Sequence, residues 1–207
     1  MMSKAGIDRN MTKLLIFSGP SGAGKTTVFD RLAKRNVRTM QSKYCKSNSH
    51  KISSDMLLSK WAYAGYWFRE IWDAKHMRED FLISDRSPLD SCAYLTNYSE
   101  HTLELTMFSM KELTKQGVDI YHVYMTADEE TLLGRTRNRS KLHGSEAYRI
   151  ETKGDAWDRA IKFYNDHPDI WHHVLDTSNM TPEQVEQECV RFAMEVIKPK
   201  SLESILK

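Results

Sequence analysis

The sequence predicts an α/β fold in which helices cover both faces of a parallel sheet. Three observations predict it. Short, continuously apolar runs recur along the chain, as parallel strands buried on both faces require. Stretches with apolar residues at helical spacing separate these runs. A glycine-rich turn at residues 19–25 joins the first run to the first such stretch.

Each element has its own justification. Leu14-Leu15-Ile16-Phe17, bounded by Gly19-Pro20, is the first strand. Residues 25–35 follow as a helix, with Val28, Phe29, Leu32 and Ala33 along one face. Residues 37–40 form a short second strand. Residues 54–77 repeat apolar and aromatic side chains at helical spacing and open at Ser53 or Ser54 as an N-cap. On that helix Trp61, Gly65, Phe68 and Trp72 share a face, and most of the aromatic residues are assigned to the core. Residues 81–84 form a buried strand ending at Asp85. Residues 99–116 read as a helix stopped by Gly117, and residues 119–125 as the fourth strand. Residues 127–139 read as a helix with Glu129 and Glu130 in its first turn, where the dipole favours them. Residues 157–165 place Trp157, Ala160, Ile161 and Tyr164 on one helical face. Residues 173–176 are the last strand. Thr181-Pro182-Glu183-Gln184 is a capping box with proline at the first helical position. Residues 1–12 read as a flexible leader, 13–198 as one domain and 199–207 as a tail.

The 207 residues carry a formal charge of +2, with 40% hydrophobic and 28% charged residues. These values suit an ordinary globular chain and exclude a strongly basic nucleic-acid coat, an acidic tail and a disordered polymer. No apolar run approaches the roughly 18–20 residues that span a bilayer. Cys45, Cys92 and Cys189 lie far apart, without the spacing of a zinc site or a disulfide framework. A reducing, cytoplasmic compartment is the expectation.

Gly19-Pro20-Ser21-Gly22-Ala23-Gly24-Lys25-Thr26 fits G-x-x-x-x-G-K-[ST] in full. Glycines let successive backbone N–H groups turn inward around phosphate oxygens, and the helix that follows adds its positive end. Gly19, Ser21, Gly22, Ala23, Gly24, Lys25, Thr26 and Thr27 are therefore assigned to the phosphates of ATP. Lys25 reaches the β- and γ-phosphates, and the Thr26 hydroxyl holds Mg²⁺. The N-K-x-D motif that reads guanine in GTPases is absent, since no Asn is followed by Lys.

A carboxylate closing a buried strand stands where ligands gather in an open parallel sheet. Asp85 is assigned to Mg²⁺ or to proton acceptance, and Arg86 to charge on the transferring phosphoryl group. Arg135, Arg137 and Arg139 lie on one helix, Arg135 and Arg139 sharing a face. With the polar residues 140–145 that follow, they read as a lid over about residues 135–155, clamping the donor after closure.

The succession of P-loop, strand with Asp85-Arg86-Ser87, arginine-rich lid and last strand before a capped helix resembles the thymidylate kinase and deoxynucleoside kinase superfamily. The resemblance covers roughly residues 13–198. It implies a P-loop NTPase fold with a five-stranded parallel sheet, helices on both faces and a small helical lid. It also makes a dimer plausible. It gives Lys25 and Thr26 to the donor and metal, Asp85 and Arg86 to the reaction centre, and Arg135, Arg137 and Arg139 to the lid. The loop itself resembles that of guanylate kinases. Two departures stand out: residues 37–54 hold no acid where deoxynucleoside kinases carry a Glu base, and Ser87-Pro88 replaces the Tyr or His of thymidylate kinases.

The acceptor is expected to be anionic. Residues 31–51 hold seven basic residues (Arg31, Lys34, Arg35, Arg38, Lys43, Lys46 and Lys51) and no acid, and residues 131–150 carry +4. Such segregation within a nearly neutral chain suits a nucleoside monophosphate, or a nucleic acid whose hydroxyl accepts the phosphoryl group. Arg38 and Lys43 are assigned to that acceptor, Trp61 and Tyr66 to stacking on its base, and Asp90 to a further contact with it.

Overall fold

Leu14 to Phe17 offer no polar side chain, and such a run is stable only with apolar cover on both sides. The computed structural model describes residues 11–34, 38–40, 56–94, 100–143 and 156–197. It places that run in β1 (Thr12–Ser18), followed by α1 (Lys25–Ala33), β2 (Thr39–Met40), α2 (Met56–His76) and β3 (Phe81–Asp85). Then come α3 (Pro88–Ala93), α4 (Glu100–Lys115), β4 (Val118–Thr126) and α5 (Glu129–His143). After α6 (Ala156–Asp166), a 3₁₀ turn (Pro168–Ile170) leads to β5 (His173–Asp176) and α7 (Pro182–Ile197).

The five strands are parallel in the order β2-β3-β1-β4-β5, so β1 is central. Side chains alternate along it. Leu15 and Phe17 pack with Val28, Phe29 and Leu32 of α1 and with Val185 and Phe192 of α7. Leu14 and Ile16 pack with Trp67 and Ile71 of α2 and with Met110 and Leu113 of α4. Each such buried side chain contributes about 1.5–3 kcal/mol. A third cluster joins Cys92 and Ala93 of α3 to Tyr124 of β4 and to Phe163 and Tyr164 of α6.

Several expected boundaries shift. β1 runs from Thr12 to Ser18, because β4 pairs along its whole length and draws the polar Thr12 and Ser18 into the buried ladder. Residues 1–10, expected as leader, lie outside the described residues. Residues 140–143, expected as flap, continue α5, while 144–155 lie outside the described residues, as do Ser53, Ser54 and Val37. The capping box before α7 is present: Thr181 N donates to Gln184 Oε1 at 2.8 Å, and Gln184 N to Thr181 Oγ1 at 3.3 Å.

The aromatic face of α2 is a correction. Tyr63, Ala64, Trp67, Ile71 and Ala74 face the core, whereas Trp61 is 38% and Trp72 45% exposed. Both sets obey helical spacing, and the one containing Trp67 wins because its indole finds buried partners.

Candidate active site

The loop leaving β1 turns at Gly19 (φ 138°) and Gly22 (φ 87°). The crowding there comes from the protein itself. A Cβ on Gly19 would lie 2.1 Å from the Met125 carbonyl oxygen, and one on Gly22 would lie 2.5 Å from that of Leu132. The loop is thus pressed between β4 and α5. Gly24 caps α1 without a side-chain cap, leaving first-turn N–H groups for an anion. Lys25, 5% exposed, donates from Nζ to the carbonyls of Gly19 and Pro20, each at 2.7 Å. Ser21, Gly22, Gly24, Lys25, Thr26 and Thr27 line a cleft of about 660 Å³, within the range that holds a small ligand. Gly19 and Ala23 do not line it: Gly19 packs on Met125, and the Ala23 methyl lies in the core.

β3 carries Asp85 to the same edge, opposite Phe17 in the parallel register. The residue is 7% exposed, and its Oδ1 is buried with no hydrogen-bond partner among the described residues. Burial pushes the carboxyl above the ordinary aspartate value, and the Arg86 and Lys25 charges pull it only partly back. A hard oxygen of this kind, within the field of Lys25 in the phosphate-binding loop, fits a hard divalent cation held partly through water.

Arg86 adopts φ 74°, a left-handed conformation that costs an arginine roughly 1–3 kcal/mol. Its backbone holds it there. The N–H donates to the Phe17 carbonyl at 3.0 Å, and the carbonyl accepts from Trp67 Nε1 at 3.1 Å and Ser84 Oγ at 2.6 Å. The side chain, 25% exposed, lines the cleft with its guanidinium 5.6 Å from the Tyr94 ring centroid.

Arg135 is part of the cleft wall. Its Nη1 donates to Thr177 Oγ1 at 2.8 Å and to the Gly22 carbonyl at 3.4 Å, while Nη2 donates to the Thr177 carbonyl at 2.8 Å. This stitches α5 to the loop and to the segment after β5. Thr177, which sequence reasoning missed, is wholly buried, and its hydroxyl also donates to the carbonyls of Thr126 and Ala23. Arg137 is exposed on the same helix, and the side chain of Arg139 lies outside the described ones.

The expected acceptor residues disperse. Arg38 pairs with Glu79 at 2.8 Å, drawn toward the amino end of β3 and away from the site, so it is not an acceptor ligand. Arg31 pairs with Glu183 and Glu186 of α7. Two charges of the basic segment are therefore neutralised within the fold, and Lys43 lies outside the described residues. Trp61 is exposed and Tyr66 half-buried on α2, and neither lines the cleft. α2 runs back from β2 to β3, and Trp67 reaches the carboxyl end of β3, so the turns carrying Tyr66 and Trp61 lie at or past that edge.

Asp90 is also a correction. It is 2% exposed. Its Oδ2 accepts from Ser18 Oγ at 2.8 Å, Ser87 N at 2.9 Å and Ser87 Oγ at 3.4 Å. Its Oδ1 accepts from Tyr164 OH at 2.7 Å and Gly19 N at 3.3 Å. Buried and surrounded by donors, the carboxylate has no face left for an acceptor.

A parallel five-stranded sheet with a glycine-rich loop and lysine at the edge of its central strand defines the α/β P-loop NTPase fold. The AAA_18 family, described as an AAA domain, matches residues 15–154, and the chain belongs to that family. No curated protein matches the chain. Solved structures share its fold at low identity. The YorR protein of Bacillus subtilis, in complex with phosphorylated GDP, is 19% identical with a TM-score of 0.54, over 88% of this chain and 96% of that one. Deoxyadenosine kinase from M. mycoides, with products dCMP and a flexible dCDP bound, is 14% identical with a TM-score of 0.55, over 88% and 100%. Shikimate kinase from Acinetobacter baumannii, in complex with shikimate, is 15% identical with a TM-score of 0.51, over 90% and 95%. Among the described residues no helix is long and apolar enough to cross a membrane.

Proposed function

We propose that this chain is an ATP-dependent phosphotransferase that moves the γ-phosphoryl group to a nucleoside monophosphate, with a deoxynucleotide such as dTMP the first candidate. The observation that carries the reading is the convergence of Lys25, Asp85 and Arg86 at the carboxyl ends of adjacent strands. A loop ammonium, a buried carboxylate with an orphaned oxygen and an arginine in left-handed strain meet at one edge. The kinases among the solved structures that share the fold support it.

Phosphoryl transfer asks the protein mainly for position and charge neutralisation. The loop amides and the start of α1 hold the donor phosphates, and Lys25 exchanges the carbonyls of Gly19 and Pro20 for phosphate oxygens. Thr26 and Asp85 would hold Mg²⁺, which supplies charge neutralisation on the β- and γ-oxygens. Arg86 covers charge that develops on the transferring group. Arg135, Met180 and Pro182 line the rest of the cleft, toward the nucleoside of the donor. A monophosphate oxygen is already an anionic nucleophile and needs no general base, which suits a chain with no acid in residues 37–54. A nucleoside hydroxyl would need one.

The test is labelled ATP incubated with nucleosides, nucleoside monophosphates and oligonucleotides. Label on a monophosphate is the expected result. Label on an oligonucleotide overturns the acceptor class and leaves the phosphotransferase, whereas no labelled acceptor of any class overturns both.

A further inference from the structure

Asp90 belongs to a capping box: Ser87 accepts from the backbone of α3, and Asp90 accepts from Ser87 N. A cap of this kind ordinarily sits in solvent and needs nothing more. Here the helix it caps is only six residues long, yet the carboxylate is 2% exposed. Burying a carboxylate costs several kcal/mol unless donors surround it, and the donors come from distant parts of the chain. Ser18 and Gly19 close β1 and open the phosphate-binding loop, and Tyr164 arrives from α6. The phenol is itself fixed. Tyr164 is wholly buried, stacks on Tyr124 at 5.1 Å, and its carbonyl accepts from Trp171 Nε1 at 2.8 Å. On the cleft side, Asp90 Oδ1 lies 3.9 Å from Arg86 Nη1.

We propose that Asp90 is a positioning residue, whose one carboxylate fixes both the entry of the phosphate-binding loop and the guanidinium of Arg86. Arg86 has its backbone locked in the left-handed region, but its side chain has torsional freedom that the backbone does not remove. Asp90 and the Tyr94 ring bracket the guanidinium and aim it along the loop. Tyr164 holds the carboxylate from behind, so α6 acts on the aim of Arg86 through Asp90. The role concerns the transfer step rather than donor binding, since Lys25 and the loop from Gly22 to Thr26 make no hydrogen bond to Asp90. It rests on the phosphotransferase reading above.

The experiment pairs Asp90→Asn with Arg86→Ala and with the double variant. An amide turns two N–H groups toward partners that are themselves donors, so the bracket opens without a change of volume. The expected result is a fall in kcat on the order of 100-fold with KM for ATP nearly unchanged, and a further loss in the double variant beyond Arg86→Ala that is smaller than the loss Asp90→Asn causes alone, because the loop contacts do not depend on Arg86. Losses that multiply in the double variant, or an unchanged kcat, overturn the proposal. Should Asp90→Asn fail to fold, Tyr164→Phe removes one donor and keeps the ring; it lowers kcat in the same direction, and unchanged turnover overturns the proposal. Amide exchange at Gly19, read by NMR, separates this from the function itself: it accelerates in Asp90→Asn and not in Arg86→Ala. If the wild-type chain labels no acceptor, the phosphotransferase reading falls, and unchanged exchange at Gly19 still overturns the positioning role.

Discussion

The donor wall of the cleft is made of main chain pinned at both ends, whereas the acceptor in the function proposed above would meet side chains carried on α2, outside the lining of that cleft. On the donor side the loop is wedged between β4 and α5, Gly19 and Gly22 leave no room for a Cβ, and Arg135 and Thr177 tie it to the segment after β5. On the acceptor side Trp61 projects from the first turns of α2 at 38% exposure, and Arg38 turns away to Glu79. Backbone geometry recognises what every nucleotide donor shares, its phosphates. Side chains on a helix can be exchanged without disturbing the sheet, so under the proposed function they are where acceptor choice would be set.

The largest effect expected on this contrast is Lys25→Ala. Turnover falls on the order of 1,000-fold in labelled-phosphate transfer, while circular dichroism shows an intact fold. Retained turnover would remove the donor assignment altogether.

Asp85→Asn separates function from stability on the same wall. Transfer is lost, yet the variant is more stable than the parent at neutral pH. Because the folded-state pKa of Asp85 is raised by burial, its contribution to stability is fully present below the unfolded aspartate value. That contribution is lost as pH rises through the higher folded value. The parent therefore loses stability across that window, and Asp85→Asn shows no such loss. Equal melting of the two at every pH would contradict the assignment.

Trp61→Ala acts on the acceptor side. It raises KM for the acceptor about tenfold, the equivalent of one lost stacking contact, and leaves KM for ATP unchanged. A change confined to ATP would invert the two sides. The smallest effect is Arg38→Ala, with transfer kinetics within about twofold, because its partner Glu79 lies at the far end of β3. A strong rise in acceptor KM would restore Arg38 to the site.

The donor loop was legible in the sequence because its chemistry is contiguous: eight successive residues specify turn, anion nest and helix start. The strands were legible for the same local reason. The helix α2 was legible too, but the face it buries was not, since aromatic residues stand on several of its faces and both candidate stripes satisfy helical spacing. Only the buried partners of Trp67, Ser84 Oγ and the Arg86 carbonyl, decide between them. Asp90 was seen but misplaced. Ser87-Pro88-Leu89-Asp90 has the form of a capping box, the same signal that located α7, and reading it would have found α3. Its further partners, 72 and 74 residues away in the chain, leave no local trace. Thr177 is silent for the same reason.

The central place of β1 has a consequence for how the molecule opens. β1 is hydrogen-bonded along both edges, to β3 and to β4, whereas β2 is an edge strand that, among the described residues, meets β3 over two. Amides of Leu14 to Phe17 should exchange only through global unfolding, and those of β2 through local fraying. Partial openings then begin on the β2 side, where the acceptor helix is attached, and leave the donor loop suspended from the last strand to let go. A protease or a warming solution would meet a chain that has lost its selectivity well before it has lost its grip on phosphate.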